Sequence, residues 1–123
     1  MAYLYVFLGG GLGAMARYSI STWIEVPAKG FPTATLLANV ISCIILGVLL
    51  GILVQKGLSN RMQWLVMTGF CGGFSTFSTF SAESFRLMEV GEYKTVILYI
   101  LTSLLVCLIS ILVGVKLGTQ FSS

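Results

Sequence analysis

Gly69-Phe70-Cys71-Gly72-Gly73-Phe74-Ser75-Thr76-Phe77-Ser78-Thr79-Phe80-Ser81-Ala82-Glu83 does not read as an ordinary helix. A glycine costs about 1 kcal/mol against alanine in a helix interior, and two stand side by side here. The pair falls near the middle of a mostly apolar segment, residues 63–88. Serines and threonines follow, with hydroxyls that bond the backbone groups a broken helix releases. Irregular backbone at membrane depth is tolerated where it is buried in protein or lines a polar cavity. Broken membrane helices also present carbonyl oxygens to cations. The stretch therefore predicts a break near Gly72-Gly73; the competing reading is a glycine pair for close packing in an unbroken helix.

Within the same stretch Phe70, Phe74, Phe77 and Phe80 fall on one helical face. The hydroxyls of Ser75, Thr76, Ser78, Thr79 and Ser81 lie between the rings. A phenyl ring is positive at its edge, so rings turned inward offer an anion a contact without a full charge. Most such stripes simply face lipid or a neighbouring helix, and periodicity alone favours that reading.

The whole chain supports a membrane setting. Of its 123 residues 57% are hydrophobic and 9% charged, and the mean hydropathy is +0.99. Soluble domains are about 25% charged, and a fold this small leaves much of its chain surface facing solvent. Seven basic and four acidic residues do not coat that surface. About 20 apolar residues span a bilayer, and four segments qualify: roughly 3–23, 35–54, 63–88 and 95–115. The first has no basic residues ahead of its apolar part and does not read as a cleavable signal. The expectation is one all-helical, multi-pass membrane domain over residues 1–123.

Composition also excludes chemistry. The chain has no His and no Asp, which removes His-based general bases, His-ligated metals and aspartyl dyads. Its scattered basic residues form no nucleic-acid patch. Cys43, Cys71 and Cys107 are far apart in apolar surroundings and read as small buried hydrophobes.

Two other spans carry polar stripes. Thr35, Asn39 and Ser42 share a face of the second, and Tyr99, Ser103, Cys107 and Ser110 a face of the fourth. The Asn39 amide offers two donors. Interhelical hydrogen bonding explains any one of these residues, but three helices each present a narrow track of neutral donors. Glu83 is the only acid well inside a span, with Arg86 one turn on. It is either a functional intramembrane carboxylate or half of an interfacial Glu–Arg pair. Gly9-x-x-x-Gly13 in the first span permits close helix approach, either within the chain or between two copies.

Three motifs in order resemble the Fluc family of small fluoride channels, and the resemblance covers essentially the whole chain. They are Gly9 to Tyr18 (GGGLGAMARY), Phe31 to Asn39 (FPTATLLAN) and Gly72 to Ser81 (GGFSTFSTFS). The departures are mild: Ala34 and Ser42 stand where glycine is usual, and Ser75 where threonine is usual. The resemblance implies an antiparallel, dual-topology homodimer in the cell membrane (inner or plasma), with two fluoride pathways at its interface. It implies a central structural Na⁺ on the backbone carbonyls of Gly72 and Ser75. It assigns Phe77 and Phe80 to ring-edge contacts with F⁻ and Asn39 to the pore. It places Thr79, Ser81 and Ser103 on a polar track with Glu83 near one end; Tyr99 and Ser110 extend that track by helical spacing. The implied role is passive export of fluoride, protecting against its toxicity, and not an enzymatic one.

Neutral donors suit this task, because conduction needs sites that are multiple and weak enough to release the ion. Two other classes compete. A small multidrug-resistance-type transporter has the same size and helix count, but needs a carboxylate in its first helix, and residues 3–23 contain none. A structural membrane subunit would use the polar tracks only as interhelical glue.

Four spans put Lys56, Arg61 and Lys116 on one side and Arg17, Lys29, Arg86 and Lys94 on the other. Orientation follows such asymmetry, and four against three is almost none. The alternative is that one residue suffices, or that Arg17 and Arg86 lie within helices and do not count. With balanced charge, a reporter fused to the C-terminus labels both sides of the membrane in comparable amounts. Two lysines added between residues 55 and 62 bias it to one side. A single orientation for the unaltered chain contradicts the antiparallel dimer.

Overall fold

The computed structural model describes residues 1–27 and 29–122, and among them every regular element is helical. We label them α1 (Ala2–Trp23), α2 (Thr33–Lys56), α3 (60–74), α4 (Phe77–Glu89) and α5 (Tyr93–Ser122). The third, α3, joins a turn (Asn60–Met62), a π-helical stretch (Gln63–Cys71) and a closing turn (Gly72–Phe74).

The punctuation follows from local chemistry. Pro27 and Pro32 lie in the connection from α1 to α2, where their lost N–H groups break no ladder. Ser59 caps α3, its Oγ accepting the Met62 N–H at 3.3 Å. After α4 the chain turns through Gly91 at φ +81°, which a residue with a Cβ rarely adopts. The Gly91 N–H donates to Met88 O and the Glu92 N–H to Leu87 O, closing the helix in a Schellman motif.

The interruption of the expected 63–88 span lies at Ser75 and Thr76, and not at the glycine pair. Gly72 is in helical conformation (φ −64°, ψ −36°), whereas Ser75 (φ −84°, ψ 154°) and Thr76 (φ −152°, ψ 126°) are extended. Gly73 serves close approach: a Cβ there would fall on the Gly10 carbonyl of α1. The span is broken, as the first reading expected, and of the second only the close approach of one glycine remains. The break also divides the phenylalanine stripe. Phe70 and Phe74 meet before it, with centroids 5.4 Å apart, and Phe77 and Phe80 after it, 5.7 Å apart.

Packing is in two pairs. One is α1 with α3, and the more extensive is α2 with α5. Each pair closes on glycine. A Cβ on Gly9 would strike the Leu65 carbonyl and one on Gly13 the Phe70 carbonyl, so the small seam of α1 is used within the chain. Gly47 and Gly51 of α2 face Gly114 and Gly118 of α5 in the same way. Contacts advance together in number along both helices, so the members of each pair run parallel. The buried face of α5 is a single stripe: Val96, Tyr99, Ser103, Ser110, Gly114 and Gly118.

Of the helices, α2 and α5 are each long and apolar enough to cross a membrane. Protein covers only 28% and 22% of their apolar stretches, unlike the core helices of a soluble domain. Leu101, Leu104, Leu105, Leu108 and Leu112 line the open side of α5. Uncovered apolar surface of this extent belongs against lipid or another protein surface.

Gly118→Ala forces its methyl onto the Val48 backbone, where no side chain can yield. Overpacking of this kind costs about 1–3 kcal/mol. The variant should lower the thermal midpoint of the purified protein in detergent. Gly11→Ala, with open space at its Cβ position, should not. Equal midpoints for the two variants would contradict the glycine contact.

Candidate functional site

The break sets free the polar groups that the site is built around. In an unbroken helix the Thr76 N–H would bond the Gly72 carbonyl and the Thr79 N–H the Ser75 carbonyl. Here the Thr76 N–H donates to Asn39 Oδ1 at 3.1 Å, and the Thr79 N–H to Thr76 Oγ1 at 3.3 Å. Thr76 is therefore the N-cap of α4. The Cys71 carbonyl is held by Ser75 Oγ (2.8 Å), the Ser75 N–H (3.0 Å) and Ser42 Oγ of α2 (3.2 Å). Arg17 Nε of α1 donates to the Gly73 carbonyl at 3.3 Å, a cation at the negative end of α3.

Asn39 thus spends its oxygen on the break. A backbone N–H can only donate, so the amide is oriented with Oδ1 toward Thr76 and Nδ2 away. Among the described residues no acceptor bonds Nδ2. Asn39 lines a cleft of about 270 Å³ with Ser75, Thr76, Phe77, Phe80 and Ser103; Cys43, Leu104 and Cys107 complete the wall. No charged side chain lines it. Ser103 Oγ is buried there without a hydrogen-bond partner. An orphaned hydroxyl is costly in an apolar surround unless something accepts from it. The Phe77 ring is 77% exposed at the cleft's open side.

A second, larger cleft of about 510 Å³ is lined in part by Arg17, Thr35, Thr79 and Glu83. Unlike the first it holds both signs of charge. Tyr99, fully buried, links the two regions. Its hydroxyl donates to Glu83 Oε1 at 3.0 Å, and its ring lies 4.9 Å from that of Phe80. Phe31 meets the same tyrosine edge-on at 5.3 Å and 82°. The partner of Glu83 is this tyrosine and not Arg86, which is exposed.

The expected site residues divide accordingly. Asn39, Ser75, Phe77, Phe80 and Ser103 meet at the smaller cleft, and Thr79 and Glu83 at the larger, with Tyr99 between. Ser81 is exposed and lines neither. Ser110 returns its hydroxyl to the Val106 carbonyl at 2.7 Å, two turns from Ser103. Gly72 is exposed with open space around it. Its carbonyl and those of Gly73, Phe74 and Ser75 lose their i+4 donors at the break, and of the four only Gly73 is met by a side chain, that of Arg17. Neutral oxygens freed in this way suit a hard monovalent cation, although one chain offers only three.

The partners of three contributors are not legible in the sequence. Thr76 carries the signal of a hydroxyl residue opening a helix. Arg17 is a cation inside a span and needed a partner. Ser42 was noticed as part of a stripe, but its carbonyl partner lies on another helix. Asn39→Ser keeps an acceptor oxygen at this position without adding charge and should cost less stability than a side chain with none. Asn39→Leu strands that N–H and should destabilise by about 1–3 kcal/mol. Denaturation of the two variants in detergent measures the difference.

The comparisons point one way. The family described as CrcB-like protein, Camphor Resistance (CrcB), matches residues 4–115. A protein from Pyrococcus abyssi (strain GE5 / Orsay), named fluoride-specific ion channel FluC, is 45% identical over 119 residues, 95% of either chain. A protein of the same name from Pyrococcus furiosus (strain ATCC 43587 / DSM 3638 / JCM 8422 / Vc1) is 43% identical over 117 residues, 94% of either chain. Another from Coxiella burnetii (strain CbuK_Q154) is 37% identical over 123 residues, 98% of this chain and 99% of its own.

Proposed function

Because the chain belongs to the CrcB-like family, we propose that it is a fluoride-specific ion channel that passively exports F⁻ and so protects against fluoride toxicity. The observation that carries this reading is the uncharged cleft where the orphaned Ser103 hydroxyl, the Asn39 amide and the Phe77 and Phe80 rings converge. Fluoride is small and tightly hydrated, so good donors must replace its water. A fixed cation inside the cleft would hold it too long, whereas neutral donors in series let it enter and leave. Asn39 Nδ2 and Ser103 Oγ offer hydrogen, and the ring edges offer partial positive charge. The charged cleft with Arg17 and Glu83 reads as the mouth, where an ion is still hydrated. The Tyr99 hydroxyl fixes the carboxylate there.

A single copy leaves the smaller cleft open on the side of Phe77, and the apolar face of α5 uncovered. Both features support an antiparallel, dual-topology homodimer with four spans per copy, two pathways at its interface, in the inner or plasma membrane. On this reading the third span is α3 and α4 together, interrupted at Ser75–Thr76. The Gly72 and Ser75 carbonyls of both copies would hold Na⁺ at the centre, and the ion would supply fixed positive charge that ties the two breaks together. The open space at Gly72 fits such close approach of a second backbone.

Purified protein in liposomes should release F⁻ and retain Cl⁻, as read by ion-selective electrodes. Asn39→Asp places an anion beside the pathway and should abolish release while the fold persists. Phe77→Ile and Phe80→Ile keep apolar volume but lose the ring edge, and each should cut release strongly. Phe70→Ile, before the break and paired with Phe74, is the control that should retain it. Near-normal release in both Phe77→Ile and Phe80→Ile would reduce these rings to packing.

A further inference from the structure

Two of the three cysteines remain unexplained by fluoride passage. Cys43 lies one turn beyond Asn39 on α2, and Cys107 one turn beyond Ser103 on α5. Both line the smaller cleft. The two helices form the most extensive packing in the chain, and Cys43 and Cys107 lie one turn before Gly47 and Ile111, which meet across it. Cys71 is buried outside this wall.

We propose that Cys43 and Cys107 form a two-coordinate site for a soft d10 metal ion of the Hg²⁺ class, and that its occupation closes the cleft. Soft thiolates select soft cations over the hard ions that oxygen ligands prefer. The site supplies two ligands, which suits an ion that binds two sulfurs in line and not a tetrahedral ion such as Zn²⁺. Charge decides between the soft ions. One Hg²⁺ displaces the protons of both thiols to water, forming two Hg–S bonds and a neutral product. A monovalent ion on two thiolates would leave a net negative charge, which an uncharged cleft disfavours. The metal would sit one turn from the Asn39 amide and the Ser103 hydroxyl, in the path assigned above to F⁻. The site itself stands on the placement of the two cysteines in one wall; only its blocking effect rests on the channel reading.

HgCl₂ titration of the purified protein, followed by ultraviolet Hg–thiolate absorbance and by proton release, tests the site independently of transport. The expected result is one tightly held ion per chain with two protons released, lost in Cys43→Ala and in Cys107→Ala and retained in Cys71→Ala. ZnCl₂ should produce no comparable signal. In liposomes, Hg²⁺ should remove most of the F⁻ release of the unaltered protein and of Cys71→Ala. It should have little effect on the residual release of Cys43→Ala or Cys107→Ala, each measured against its own metal-free rate. Independent reaction of all three thiols, or undiminished tight binding in either cleft variant, overturns the site. Tight binding with unchanged F⁻ release overturns the block. Protein that binds Hg²⁺ at the pair but carries no F⁻ in its absence refutes the channel reading and leaves the site standing.

Discussion

A helix interrupted at membrane depth releases backbone groups that lipid cannot satisfy, and the remainder of this structure is arranged to meet that demand. Water would bond the freed groups without effort; a bilayer leaves each unsatisfied group at a cost of several kcal/mol. Three side chains meet most of it: Asn39 for the Thr76 N–H, Thr76 for the Thr79 N–H and Arg17 for the Gly73 carbonyl, while Ser42 adds a bond to the Cys71 carbonyl, which keeps its own helical donor. They come from α1, α2 and the break itself. The interruption thus fastens three helices together. The Gly72, Phe74 and Ser75 carbonyls are left over, and the proposed cation site draws on two of them.

The same economy explains why Asn39 stands at the cleft. A hydroxyl there could accept the Thr76 N–H, but its one remaining proton would have to serve every other partner. An amide divides the two tasks between two atoms, holding the break with Oδ1 and presenting Nδ2 elsewhere. Structural support and a donor left free are therefore carried by one side chain without competing. Tyr99 shows the same division, with its ring against Phe80 and Phe31 and its hydroxyl on Glu83.

Much of this was legible in the sequence, and the remainder was hidden for identifiable reasons. Helices were visible because apolar runs and their punctuation by Pro27, Pro32, Gly57 and Gly91 are local signals. The break was located to within a few residues because Gly72-Gly73 and the following hydroxyls act locally too. Its displacement to Ser75–Thr76 depends on Gly10, Asn39 and Ser42, which lie on other helices. The phenylalanine stripe looked continuous because periodicity assumes one unbroken helix. Ser103 was separable from Ser110 only once their partners were known, since both lie on the buried stripe of α5. The pair Gly47–Gly51 facing Gly114–Gly118 has the spacing noticed at Gly9–Gly13, but long apolar runs conceal glycines that a short one displays.

The parallel running of each helix pair bears on how the chain assembles during synthesis. Gly13 meets Phe70, and Gly51 meets Gly118, so each helix finds its main partner roughly sixty residues later, not in the next helix. The glycine seam of α1 stays uncovered until residues 69–74 have emerged, and that of α2 until the chain is nearly complete. Topology of this kind carries a high contact order, and loop closure must precede most of the stabilising contacts. Helices inserted early would wait in the bilayer as independent rods. Truncation shortly before Gly114 would therefore leave the Gly47–Gly51 end of α2 without its glycine counterpart, because the last turns of α5 carry it.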